Sequence, residues 1–289
     1  MKASYSNIKK NAKSAMTGHL GEVVLAALLL PIAFSMISSL FSTFFGFIHW
    51  SIPNIIALVA NALSTYISLR MIIKISRYRH NKIFDNFFGN KRGMINAILF
   101  ALLSLLYIAG YLVFFWDYFV YVWELMKIIP SDYYSADAET IEDFLINYDL
   151  KAPTVFSMTA AFIYSIISIF IGVRLSFTPY IIADSNYSLV VSLKRSWELT
   201  KGNWWRIFFF PLSFVLWIFA IIFTLGLAMI YVGPYMAISY GSFYNSLLEE
   251  HGYSYDEGTE KKVENPTIDE NALDEEDNMF DKKDPFESY

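Results

Sequence analysis

The sequence predicts an all-α, polytopic membrane helix bundle, with six transmembrane helices, amphipathic interfacial helices and a disordered acidic C-terminal tail. Three observations predict it. Hydrophobic residues make up 55% of the 289 residues, and the mean hydropathy is +0.39. These residues are gathered into charge-free runs: Val23–His49, Ser51–Leu69, Gly93–Trp116, Ala152–Val173 and the 42 residues from Ile207 to Leu248. A hydrocarbon core of about 30 Å takes about 20 helical residues, so the last run is long enough for two crossings. The charge is also divided, with 18 Lys and Arg against 12 Asp and Glu in residues 1–248, and 4 against 15 in residues 249–289.

The spans fall at about residues 22–48, 52–74, 93–116, 153–181, 205–224 and 227–248. Ahead of them, Tyr5, Ile8, Ala12, Ala15 and Met16 share one helical face, with Lys9, Lys10 and Lys13 elsewhere. That pattern predicts a short helix lying on an anionic membrane surface. Val23 onwards is too long for a signal core and reads as a retained first span. Pro31 should kink it, because proline removes one backbone hydrogen bond. His49-Trp50 reads as a minimal turn, and Pro53 opens the second span.

A basic ladder follows: Arg70, Lys74, Arg77, Arg79, Lys82, Lys91 and Arg92. Within it Ile83, Phe84, Phe87 and Phe88 precede Gly89, an interfacial segment whose aromatics dip into the headgroup boundary. The third span ends in an aromatic belt (Trp116, Tyr118, Phe119, Tyr121, Trp123) typical of a membrane–water interface. The loop 117–152 is expected on the extracellular side, with one short amphipathic helix through Ala138, Ile141, Leu145 and Tyr148. Pro153 begins the fourth span, Pro179 should kink it, and Asp184-Ser185-Asn186 reads as a break and N-cap. The helix 187–200 places Val190, Leu193 and Trp197 on one face and Lys194, Arg195 and Glu198 on the other. A corner at Gly202-Asn203-Trp204 leads into the fifth span, and a turn at Thr224-Leu225-Gly226 separates it from the sixth.

Lys194, Arg195, Trp197, Gly202, Asn203, Trp204, Trp205 and Arg206 are the residues expected to set depth and direction at the interface. Lysine and arginine crowd the N-terminus, the ladder and this corner, while only Lys127 and Lys151 fall on the other side. With six spans, both termini are then cytoplasmic, in a cell membrane. The acidic tail 249–289 reads as a disordered cytoplasmic segment and a possible contact for a cytosolic protein.

Chemistry is scarce. The chain has no cysteine, and His19, His49, His80 and His251 never stand at metal-ligand spacing, so no metal, cofactor or catalytic residue is expected. His19 and Glu22 stand at i, i+3, which reads as a helix start at the interface. No phosphate-cradling glycine loop, dinucleotide fingerprint or nucleophile elbow occurs. The basic residues flank spans rather than forming a nucleic-acid stripe, so anionic lipid headgroups are their natural partners. Glu22, Arg70, Asp117, Arg174 and Arg206 fall at span ends, where snorkelling accounts for them. Hydroxyls and amides mark span 2 (Asn61, Ser64, Thr65, Tyr66, Ser68) and span 6 (Tyr231, Tyr235, Ser239, Tyr240, Ser242, Tyr244, Asn245). They serve helix packing first and, as the alternative, the path of a polar or lipidic solute.

There is also an internal echo. Lys10–Leu30 and Lys194–Phe214 both run from a basic amphipathic helix through Gly-His or Gly-Asn into a span, with Gly18 and Gly202 in register. A shared physical solution is favoured slightly over duplication.

The segment from YSLVVSLKRSWELTKGNWWRIFFF to YNSLLEE, with TPYIIAD and KKNAKSAMTGHLGEVVL upstream, resembles a bacterial integral-membrane family known as domain of unknown function 975. LKRSWELTKGNWWR is also similar to membrane domains found with some glycerophosphodiester phosphodiesterases. The resemblance implies fold and location and transfers no site residues. The expected function is a non-enzymatic membrane protein that organises or binds partners. The alternative is a transporter or lipid-handling, permease-like protein using the polar faces of spans 2 and 6.

Overall fold

A charge-free chain in lipid can satisfy its backbone polar groups only internally, which favours helix. In a computed structural model of the chain, describing residues 3–45, 51–77, 83–128, 153–185, 187–256 and 259–262, almost every element is helical. Among the described residues five helices are long and apolar enough to cross a membrane: Leu20–Thr43, Pro53–Ser76, Lys91–Phe114, Val155–Asp184 and Trp204–Phe223. By contact the chain divides into two units, Met1–Ala101 with Val173–Tyr289, and Leu102–Gly172.

The first unit begins with α1 (Tyr5–Met16), α2 (Leu20–Val24), a π-turn at Leu25–Leu29, and α3 (Leu30–Phe45). Pro31 accounts for the π-turn. It offers no N–H to the turn before it, and the Leu30 N–H bonds the Leu25 carbonyl, five residues back. Next come α4 (Ser51–Ser76) and α5 (Lys91–Phe114), which runs on into the second unit. The expected turn at His49-Trp50 lies outside the described residues.

The second unit contains the end of α5, α6 (Trp116–Ile128) and most of α7 (Val155–Leu175). Helix α6 occupies the start of the expected extracellular loop 117–152, while the helix expected near 138–148 lies outside the described residues. Reciprocal tyrosine bonds join α5 to α7 here. Tyr107 donates its hydroxyl to the Ser168 carbonyl (2.8 Å), and Tyr164 donates to the Tyr107 carbonyl (2.9 Å). Gly110 lets the Tyr164 ring approach, since a Cβ there would lie 2.0 Å from its hydroxyl. Gly110→Ala is therefore expected to lower stability by about 1–3 kcal/mol through overpacking. Gly172→Ala, whose Cβ would meet only the Tyr107 hydroxyl at 3.5 Å, should be tolerated. Thermal unfolding of the two detergent-solubilised variants separates these outcomes.

The chain returns to the first unit through α8 (Thr178–Asp184) and α9 (Leu189–Leu199). The break before α8 and the proline in its first turn match the kink expected at Pro179. Asp184 is the last residue of α8, and the N-cap of α9 is Ser188, not the expected 184–186. The fifth predicted span is interrupted: α10 (Trp204–Phe209) gives way to a 3₁₀ turn at Pro211–Phe214 before α11 (Val215–Phe223). Pro211 cannot donate to the Ile207 carbonyl, which ends the α-helical ladder. The turn into α12 (Met229–Glu250) falls where expected, with Leu225 and Gly226 both at positive φ (50° and 92°).

Helix α12 is the predicted sixth span, yet it is not among the five apolar helices. Tyrosine, serine and Asn245 are interleaved along it, which lowers its hydropathy. It is instead the core helix of its unit. Val232, Ile238, Ser239, Phe243, Tyr244, Leu247 and Leu248 are buried, and α1, α4 and the π-turn all pack on it. Gly241 lies close against α4, since a Cβ there would lie 2.9 Å from Ile72 Cγ2 and 3.2 Å from Ser76 Oγ.

The tail expected to be disordered from residue 249 begins as helix through Glu250. A short antiparallel pair follows, β1 (Tyr253–Asp256) with β2 (Thr259–Lys262), and residues 263–289 lie outside the described residues.

Candidate functional site

Two ion-paired clusters gather around the C-terminal half of α12. The first is built on the basic ladder of α4. Arg70, Lys74 and Arg77 are spaced i, i+4, i+7, so they share one helical face. That face is turned into the protein. Arg77 donates to both carboxylate oxygens of Asp184 at 2.7 Å and to Asn245 Oδ1 at 3.0 Å. Tyr244 donates its hydroxyl to Asp184 Oδ2 at 3.1 Å, and Asn245 Nδ2 donates to Ser76 Oγ at 2.8 Å. Two turns earlier, Arg70 donates to the Ala183 carbonyl at 2.8 Å, at the negative end of the α8 dipole. The end of α8 is thus held by Arg70 of α4, by Arg77 just past the end of α4, and by a tyrosine from α12. The Arg77 and Asp184 side chains are only 9% and 10% exposed, so the pair is shielded from water and its partners are interdependent.

The second cluster joins the start of the described chain to the end of α12. Arg206 Nη1 donates to Glu250 Oε1 and Oε2 at 2.7 and 2.8 Å, and its Nη2 donates to the Ala3 carbonyl. The Ala3 N–H donates to Glu250 Oε1 at 3.0 Å. Tyr5 donates to the Arg206 carbonyl and Lys9 to the Ser213 carbonyl, both at 2.7 Å. Lys9 Nζ also sits 4.1 Å from the centre of the Phe214 ring. The N-terminal helix therefore supplies donors to the irregular backbone around Pro211. Burial pushes the Lys9 ammonium below its ordinary range, whereas burial raises the Tyr5 hydroxyl and Arg206 partly offsets that rise.

These contacts correct three expectations. Ile8, Ala12, Ala15 and Met16 were expected on lipid, but α1 buries them, packing against α12 and α4. Arg70 and Arg206 do not snorkel, because protein acceptors hold them. Lys194, expected on the face of α9 opposite Val190 and Trp197, is exposed together with them, while Val191, Ser192, Arg195, Ser196 and Leu199 are buried. Small hydroxyl residues let α9 approach closely. Ser196 donates to the Arg174 carbonyl at 2.9 Å, and the Arg195 guanidinium lies 4.6 Å from the Tyr187 ring centre.

The predicted interfacial residues divide accordingly. Lys194, Trp197, Gly202 and Trp205 are exposed, Trp204 is half-buried, and Arg195 and Asn203 are buried. Arg206 belongs to the second cluster. Glu22 stands 3.5 Å from His19 Nδ1 across the first turn of α2.

The backbone echo is sharper than the residue identities. Ser4 and Ser188 are N-caps of matching conformation (φ −75°, ψ 157°; φ −68°, ψ 163°), and Gly18 and Gly202 have φ 81° and 76°. His19 and Asn203 then cap the entering helices at φ −126°, ψ 24° and φ −119°, ψ 10°. The same elbow is built twice, 184 residues apart.

The arrangement joins helices. It brings a carboxylate to a guanidinium twice, and among the described residues no group of three His, Cys, Asp or Glu gathers that could hold a metal ion. The sequence profile of the family described as "Protein of unknown function (DUF975)" matches residues 1–251. No curated protein and no solved structure matches the chain.

Proposed function

Because the chain belongs to the DUF975 family of proteins of unknown function, we propose its role from its geometry: a multi-pass membrane protein that organises or binds partners without catalysis. In this reading α12 is the sixth crossing, the membrane is a bacterial cell membrane, and both termini are cytoplasmic. The observation that carries it is the use made of the interior charges. Arg77, Asp184, Arg206 and Glu250 fasten helices to one another, so the charges that would serve chemistry are committed to architecture. The basic exposed surface, including Lys10, Lys13, Lys194 and Lys201, faces anionic headgroups, and the acidic tail is the contact for a cytosolic protein.

The transporter alternative relied on the hydroxyl faces of α4 and α12. At Gly241 these helices meet through a glycine, which weighs against a solute path at that level.

Cysteine labelling in sealed membrane vesicles tests the topology, since the chain has no cysteine of its own. Leu225→Cys is expected to react from the side opposite both Lys201→Cys and Thr259→Cys; reaction of Leu225→Cys and Thr259→Cys from one side removes the sixth crossing. Cross-linking of the full chain and of a chain ending at Lys262 tests the partner role. Loss of specific adducts on truncation supports it, and identical adducts remove the tail from it.

A further inference from the structure

We infer that residues 83–92 form a preorganised wedge that inserts into one bilayer face and binds anionic lipid headgroups. The inference rests on the membrane reading above and names the partner for one part of its surface. The segment follows the candidate span ending at Ser76 and leads into the one beginning at Lys91, so it lies at one face of the bilayer whichever way the chain is oriented.

Its backbone is held from beneath. Ile83 is buried, and Lys74 Nζ donates to the Ile83 carbonyl at 3.3 Å and to the Asp85 carbonyl. The Gly89 N–H closes a turn onto the Asn86 carbonyl at 2.9 Å. Gly89, at φ 69°, lies so close to the Tyr66 hydroxyl that a Cβ would come within 2.2 Å of it. This fastened loop projects Phe84 and Phe88, 59% and 62% exposed, with Phe87 packed between them at ring distances of 6.4 and 5.1 Å.

An exposed phenylalanine pair on a fastened loop is unfavourable in water and favourable in the interfacial layer. Because the loop is already ordered, insertion costs little conformational entropy. Lys91 and Arg92 are exposed beside it, in the first turn of α5, which contains no acid. Two cations at the positive end of a helix dipole raise the local potential rather than neutralise it, which suits an anion better than a zwitterion. Asp85, the one acid on the wedge, is exposed and offsets only part of this charge. Each basic side chain near an anionic surface is worth about fivefold in binding.

The test uses the full chain in bilayers of phosphatidylcholine with and without phosphatidylglycerol. A spin label at Phe88→Cys, or at Phe84→Cys should the first variant fold poorly, is expected to be open to oxygen and shielded from a water-soluble nickel chelate. A label as accessible to the chelate as one at Lys201 overturns insertion. Mass spectrometry of retained lipid is expected to show phosphatidylglycerol preferred, with the preference falling about fivefold or more in Lys91→Gln/Arg92→Gln. Equal retention of both lipids, or a preference the double variant leaves unchanged, overturns the anionic selectivity. Failure of the membrane reading is distinguishable, because it would appear in the Leu225 and Lys201 labelling.

Discussion

Asp184→Asn is expected to lower the stability of the detergent-solubilised protein by about 3–5 kcal/mol, among the largest effects of any single substitution. The change is nearly isosteric, so packing is kept while the charge is lost. Arg77 is then left shielded, with an amide in place of a carboxylate, and Tyr244 loses a charged acceptor. Arg77→Gln should cost a similar amount from the other side. The double variant Arg77→Gln/Asp184→Asn is expected to cost less than the two losses added together, because no buried charge is stranded. Thermal or denaturant unfolding of the four proteins measures the coupling. A purely additive cycle would mean that the two side chains act independently, contrary to their geometry.

The second large effect concerns the N-terminal helix. Arg206→Gln removes the donor that reaches both Glu250 and the Ala3 carbonyl, so α1 loses the anchor at its start. Its apolar face, Ile8, Ala12 and Ala15, is wholly buried in the docked state. Ala12→Cys alone is expected to be protected from a water-soluble maleimide. Adding Arg206→Gln should raise the labelling rate by about tenfold or more, since losing a shielded charge pair costs at least one decade in the docking equilibrium. Glu250→Gln should act in the same direction. Should Ala12→Cys label equally fast in both backgrounds, the ion pair does not hold the helix.

Much of the architecture was legible because it depends on local pattern. Charge-free runs gave the five helices apolar enough to cross a membrane, Pro179 follows a real break, and Pro31 follows a π-turn within a continuous helix. Gly202 and Gly226 sit at positive φ where the elbow and the turn were expected. What was missed depends on partners distant in sequence. Arg77 and Asp184 are 107 residues apart, and Arg206 and Glu250 are 44 apart, so neither pair leaves a local signature. One signal was available: Arg70, Lys74 and Arg77 share a helical face, and a single acid, Asp184, ends an otherwise apolar stretch.

The orientation of α1 and α9 was harder to read. An amphipathic pattern separates two faces of a helix but does not say which meets lipid and which meets protein. In α1 the apolar face is buried by protein, and in α9 the hydroxyl face is. The elbow is common to both, so it sets the direction of the backbone and leaves the choice of packing face to the neighbouring helices.

The polar character of α12 bears on how the chain is assembled during synthesis. A segment interleaved with tyrosine, serine and Asn245 gains little by entering lipid alone, unlike the five apolar helices. Its partners α1 and α4 are made first, and they offer it buried contacts in place of lipid. In the proposed six-span topology its entry into the membrane is therefore recruitment by helices already in position. Variants that weaken α4, such as those at Arg77, should then show a lowered yield of assembled protein as well as a lowered stability, the shortfall being chains whose α12 is not recruited.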